Sequence, residues 1–105
     1  MRSVNFALPI LPDAPPDRTA QLVRHLTARL NDFGPGGPEV IRSDQAGGTV
    51  SVRFPGHDTQ AVLNQLASQH GISVGVADGC ALFSLSPSLP FEDLDYTWGA
   101  LFSVL

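Results

Sequence analysis

"TVSVRFPGHDTQAVLNQLASQHGISVGV", residues 49 to 76, is the stretch on which the reading of this chain turns. Val50, Val52 and Phe54 alternate with Thr49, Ser51 and Arg53, the period of a strand with one buried face. Pro55 and Gly56 end it. Asp58 then stands where a helix N-cap belongs, with a side-chain oxygen for the unpaired N–H groups of the first turn. Val62, Leu63, Leu66 and Ala67 form an apolar stripe at helical spacing. Gly71 can adopt the left-handed conformation that ends a helix. Ile72, Val74 and Val76 resume the alternation, and all three are expected to point inward. The unit is strand, helix, strand, and such a unit buries its faces only as part of a sheet with a helical layer.

The flanks read the same way. In "SVNFALPI", residues 3 to 10, Val4, Phe6, Leu8 and Ile10 share one face, and Pro9 confines this strand to a sheet edge or ends its pairing there. "LPDAPPD" is a proline-stiffened loop. A helix is expected after it with Asp17 as N-cap and Leu22, Val23, Leu26, Leu30 and Phe33 on one side. The "GPGGP" run at 34 to 38 stops it. "EVIRSD" reads as a strand, and Ala46, Gly47 and Gly48 turn the chain into residue 49. Beyond residue 76, "ADG" is a turn and "CALFSLS" a strand. Pro90 suits the first turn of a last helix, with Glu92, Asp93 and Asp95 at its positive end. Leu94, Trp98, Leu101 and Leu105 then recur at three- and four-residue steps.

The element order is βαββαββα. The predicted fold is an α+β, two-layer α/β sandwich: a ferredoxin-like βαββαβ core extended by a further strand and a C-terminal helix. Residues 1–105 are read as one domain, long enough for a core without disulfides or metals.

Hydrophobic residues make up 43% of the chain and charged residues only 15%, so it is globular and apolar rather than disordered. A net charge of −4 argues against a phosphate-backbone binder, whose affinity comes from Lys and Arg. All basic residues are Arg, and no Lys occurs. One cysteine, Cys80, excludes an internal disulfide and a multi-cysteine metal site. No apolar run approaches a membrane span, and Asn5 and Pro9 break the pattern of a secretory signal, so the cytoplasm is the expected location.

Three motifs in the second half carry a resemblance: the "HGI" break at 70–72, "SP" at 86–87, and "EDLD" at 92–95 within "SLSPSLPFEDLDYTWGAL". From about Gly48 to Leu105 the chain resembles the C-terminal small domain of fold-type I pyridoxal-phosphate enzymes, in particular the class V aminotransferase and cysteine desulfurase group. The resemblance implies the sandwich fold. It also implies a cofactor held as a Schiff base on a Lys of a large domain, and an Arg that grips the substrate carboxylate. This sequence departs from both. It has no Lys, and the position of the family's Arg, two residues before the Ser of "R-x-S-P", is Ser84. A single hydroxyl does not replace a bidentate guanidinium. The family's "YNT" segment is shortened to "LPF". No catalytic residue, metal or cofactor is therefore assigned.

The remaining candidates are few. Arg42 and Arg53 fall on neighbouring strands and, with Ser84 and Ser86, are the candidate contacts for a carboxylate or amino-acid ligand. The competing reading pairs both arginines with surface acids. Cys80 reads as a small structural hydrophobe. His25, His57 and His70 lie in three different elements, without the spacing of a helical metal site. Glu92, Asp93 and Asp95 read as a solvated helix start. "FGPGG" follows a helix instead of opening one and so is no phosphate loop. On the last helix, Tyr96, Phe102 and Leu105 depart from the single stripe. An apolar girth of this kind predicts burial on a second side, in a homodimer or against a separately encoded partner. Two functions stay open: a stand-alone interaction or oligomerisation module without catalytic apparatus, and a ferredoxin-like domain that senses a small carboxylate or amino acid.

Overall fold

The computed structural model describes residues 3–7 and 16–105. Its elements are β1 (Val4–Phe6), α1 (Pro16–Asn31), β2 (Glu39–Asp44), β3 (Thr49–Arg53), α2 (Thr59–His70), β4 (Ile72–Ala77), β5 (Cys80–Ser84) and α3 (Phe91–Val104). The βαββαββα order is found as expected. Leu8 and Ile10 lie outside the described residues.

The five strands form one sheet in the order β1-β4-β5-β3-β2. β1 runs parallel to β4, and every other neighbouring pair is antiparallel. β1 is an edge strand, as Pro9 suggests. The added strand β5 does not lengthen the sheet at its rim. It enters the centre, between β4 and β3, and so separates the strands that flank α2. Two-residue chemistry places it there. Asp78 (φ 54°) and Gly79 (φ 77°) both take the left-handed backbone that a tight hairpin needs, and Ala77 pairs directly with Cys80. The chain folds back beside β4 before it can leave the sheet.

All three helices cover one face. Val4, Phe6, Val50, Val52, Ile72, Ala81 and Phe83 point into that layer and are buried. α1 packs on β2 and β3, and α2 on β4 and β5. α3 lies between α1 and α2 and packs against both. Leu22, Leu26, Leu30, Leu66, Leu94 and Leu101 close the core from above.

The caps of α2 form as predicted. Asp58 accepts a hydrogen bond from the Ala61 N–H at 3.0 Å, and Gly71 ends the helix at φ 68°. Three local expectations are corrected. Asp17 lies inside the first turn of α1, which already includes Pro16. Ala67 is exposed, because α2 turns only Val62, Leu63 and Leu66 to the core. Val76 is 51% exposed: it faces the helix side of the sheet, but near the hairpin end of β4, past the reach of the helices.

Candidate functional site

The second face of the sheet carries no layer among the described residues. Strand register lays out what it displays. Arg42 of β2 stands opposite Ser51 of β3, Ser51 opposite Leu82 of β5, and Leu82 opposite Gly75 of β4. A parallel row runs from Asp44 through Thr49 to Ser84. Glu39 and Arg53 face each other at the far end of β2 and β3. Arg42 reaches this face only because a β-bulge at Ile41 shifts the register of β2 by one residue. Without it, the side-chain alternation would turn Arg42 to the helices.

The open face is thus built mostly of small and hydroxyl side chains, with Leu82 and the exposed Ile41 of the β2 bulge as its large apolar groups. Its charges are two acids and two arginines. Arg53 Nη2 donates to Glu39 Oε2 at 2.8 Å, and that bond, followed by the attraction of the Glu39 charge, raises the Arg53 pKa above its ordinary value. Asp44 Oδ1 accepts from the Gly47 N–H at 2.9 Å and closes the β2–β3 turn. The face is therefore neutral in sum, although the chain carries −4.

Of the residues expected to contact a ligand, Arg42, Arg53 and Ser84 share this face. They do not converge. Arg53 is engaged by Glu39, and β3 lies between Arg42 and Ser84. Ser86 lies beyond the end of β5, where its hydroxyl is 3.0 Å from that of Ser88.

The helical side holds a cluster that the sequence pattern did not single out. Arg18, His25 and Arg29 line the side of α1 that meets α3. Arg18 Nη2 donates to the Leu89 carbonyl at 2.7 Å, and its guanidinium lies 4.4 Å over the Phe91 ring. His25 Nε2 donates to Asp95 Oδ1 at 2.8 Å, and Arg29 Nε donates to the same oxygen at 3.0 Å. The His25 hydrogen bond, with the charges of His25 and Arg29, holds the Asp95 carboxyl below its ordinary pKa. Asp95 is therefore a clasp between two helices and not only a solvated helix start. The signal was the shared face of His25 and Arg29, one turn apart on α1; their partner is set by tertiary packing alone.

The other expected residues fall as follows. Tyr96 is half-buried and its hydroxyl donates to the His70 carbonyl at 2.8 Å. Leu105 packs against the core. Phe102 keeps 53% of its surface exposed while stacking on Phe33 at 4.0 Å between ring centres. Of the three expected interface residues, only Phe102 presents a largely open side chain. Cys80 is half-buried at the hairpin end of β5. The three histidines remain apart, and no cluster of three metal-capable side chains occurs among the described residues. No helix among them is long and apolar enough to cross a membrane.

Pyridoxal phosphate, which the resemblance implies, does not fit the donor set of this chain. The sequence offers no lysine for a Schiff base. At the position of the family's arginine the structure sets Ser84 opposite Thr49, two hydroxyls with no charge between them.

No protein-family model matches the chain, and no curated protein matches it. Among solved structures, it is similar to the crystal structure of an alanine–glyoxylate aminotransferase from Nostoc sp., with a TM-score of 0.66 and 23% sequence identity. The match covers 84% of this chain and 25% of that one. At this identity the likeness is one of fold. The chain spans about a quarter of the aminotransferase's length.

Proposed function

We propose that this chain is a protein-interaction domain whose open sheet face docks on a larger protein domain. The observation that carries the reading is the one-sided sandwich. Five strands have helices on one face, and the other face displays Ser51, Leu82, Ser84 and Gly75 with its charges balanced. A surface of small side chains with no net charge costs little to desolvate against a partner that answers Arg42, whereas a charge buried alone costs several kcal/mol (roughly 3–5). The aminotransferase supports the reading from another side. There the same fold accompanies three times as much additional protein in one chain, as the 25% coverage implies.

The partner is supplied either by a separate chain or by more of the same one. In the pyridoxal-phosphate enzymes that the sequence resembles, the complementary large domain carries the Schiff-base lysine that this chain lacks. Catalysis, where it occurs, then belongs to the assembly and not to these 105 residues.

Cys80 provides the test, because it is the sole cysteine and sits on a strand of the docking sheet. Its alkylation rate is measured in intact cells and in the purified chain. Slow alkylation in cells with fast alkylation of the purified chain is expected. If protection instead grows with the concentration of the purified chain, the occupant is a second copy. Equal, concentration-independent rates in cells and in dilute solution would leave the open face uncovered and end the docking reading.

A further inference from the structure

The geometry points to a binding site for a small carboxylate in the groove between α1 and β2, anchored by Arg24. This site is separate from the open sheet face and does not depend on docking there.

Arg24, Thr27 and Asn31 lie at i, i+3 and i+7, on one side of α1. Opposite them stand Ser43 of β2 and Gln45 of the following turn, and together they line a groove of about 260 Å³. Ser43 turns toward the helical layer because it pairs with the buried Val50. The lining supplies a guanidinium, two side-chain amides and two hydroxyls, and it includes no carboxylate. An anion is the ligand that such a donor set recognises.

Two of these groups are under-used. The one hydrogen-bond contact of Arg24 among the described residues is Nη1 to Gln45 Oε1 at 3.5 Å, the outer limit for such a bond. Thr27 Oγ1 is enclosed and has no partner among the described residues. A helical threonine ordinarily returns its hydroxyl to the carbonyl four residues back, as Thr97 does to Asp93 at 2.8 Å. Thr27 does not, and an enclosed, unpaired hydroxyl is destabilising unless something answers it. Thr27 itself lines the groove, so a ligand there lies beside the residue that carries this hydroxyl.

Size and shape narrow the class. The groove is below the roughly 300 Å³ at which pockets for drug-sized ligands begin. That volume suits a carboxylic acid of a few carbons. The planar fork of a guanidinium matches a carboxylate in two parallel bonds. Val23, also in the lining, gives an apolar wall for a short alkyl chain.

The test is a nitrogen-15 NMR titration of the whole chain with sodium propionate. Saturable shifts are expected at the amides of Thr27, Asn31, Ser43 and Gln45 and at the Arg24 side chain. Arg24→Gln, at an exposed position that leaves the fold intact, weakens binding by on the order of tenfold or more through loss of the charge-assisted pair. Thr27→Val keeps the shape and removes the unpaired hydroxyl. It is expected to hold or raise thermal stability while weakening propionate, a pairing that a purely structural threonine does not give. Propylammonium chloride at equal concentration is expected to leave these signals unmoved. Absence of saturable shifts, shifts that survive Arg24→Gln, or equal shifts with propylammonium would each overturn the site. Tighter binding of inorganic phosphate than of propionate would overturn the carboxylate assignment.

Discussion

Leu66 and Ala67 are neighbours in α2, yet one is fully buried and the other is exposed. Both fit the apolar stripe as sequence, because a helical period allows a stripe to be drawn a residue too wide; only the position of the sheet trims it. Leu66→Ala is expected to cost about 2–5 kcal/mol in chemical denaturation, the range for a core leucine whose cavity does not close. A loss under about 0.5 kcal/mol would mean that α2 presents another face to the sheet. Asp95 shows the opposite limit of a sequence. Its neighbours in the chain mark it as a helix-start acid, while its partners His25 and Arg29 come from another helix. Its carboxyl pKa is lowered in the fold, first through the His25 hydrogen bond. The unfolded chain therefore takes up this proton first as pH falls. The stabilisation is complete above the ordinary carboxylate range, about pH 4, and is lost as pH drops through the lower folded value. Asp95→Asn should thus be less stable than wild type at pH 6, with the gap closing below about pH 4. The side chain is 42% exposed, so solvent screens the pair and the gap is small. A gap that widens in acid would contradict the assigned partners.

Where an element begins and ends was largely legible, because caps are local chemistry. Asp58 and Gly71 announce α2 through a side-chain acceptor and a left-handed backbone, and both do what the sequence states. Gly71→Ala is expected to destabilise the fold by about 1–2 kcal/mol, since a Cβ at φ 68° meets the following carbonyl. A neutral result by thermal denaturation would show that the helix ends elsewhere. How elements are ordered in space was less legible. β5 has the same alternating pattern whether it closes the rim of the sheet or enters its centre, and only the Asp78–Gly79 hairpin ties it to β4. α3 is the clearest case. Its apolar residues run around much of the helix, which as sequence suggests a partner surface. In the fold, α1 and α2 stand on either side of it. Trp98 lies beneath Arg29 of α1, and Tyr96 is hydrogen-bonded to the end of α2. Much of the apolar girth is answered within the domain, and Phe102 is the part left over.

At the scale of the molecule, the sandwich has one covered face and one open one, and the resemblance read from "HGI", "SP" and "EDLD" agrees in fold with the aminotransferase structure. The chemistry does not follow the fold. With no lysine, this chain incubated with pyridoxal phosphate and borohydride is expected to give no side-chain adduct by mass spectrometry, and a reduced adduct on any internal residue would refute that. The open face and the outer face of α3 are the two surfaces that could meet a partner, and one substitution on each distinguishes them. Leu82 sits between Ser51 and Gly75 at the middle of the open face and is only half-buried. Leu82→Glu therefore leaves the free domain folded, with a stability change near that of a surface substitution, about 1 kcal/mol or less. Against a docked partner the same carboxylate is stripped of water without a counter-charge and opposes binding strongly. Phe102→Glu introduces the same charge on the helical side, at a ring already half in water. If the open face docks, Leu82→Glu frees Cys80 for alkylation in cells and Phe102→Glu leaves it protected. The reverse result, protection lost only with Phe102→Glu, would move the partner to α3 and return the interface to the helix on which the sequence pattern had placed it.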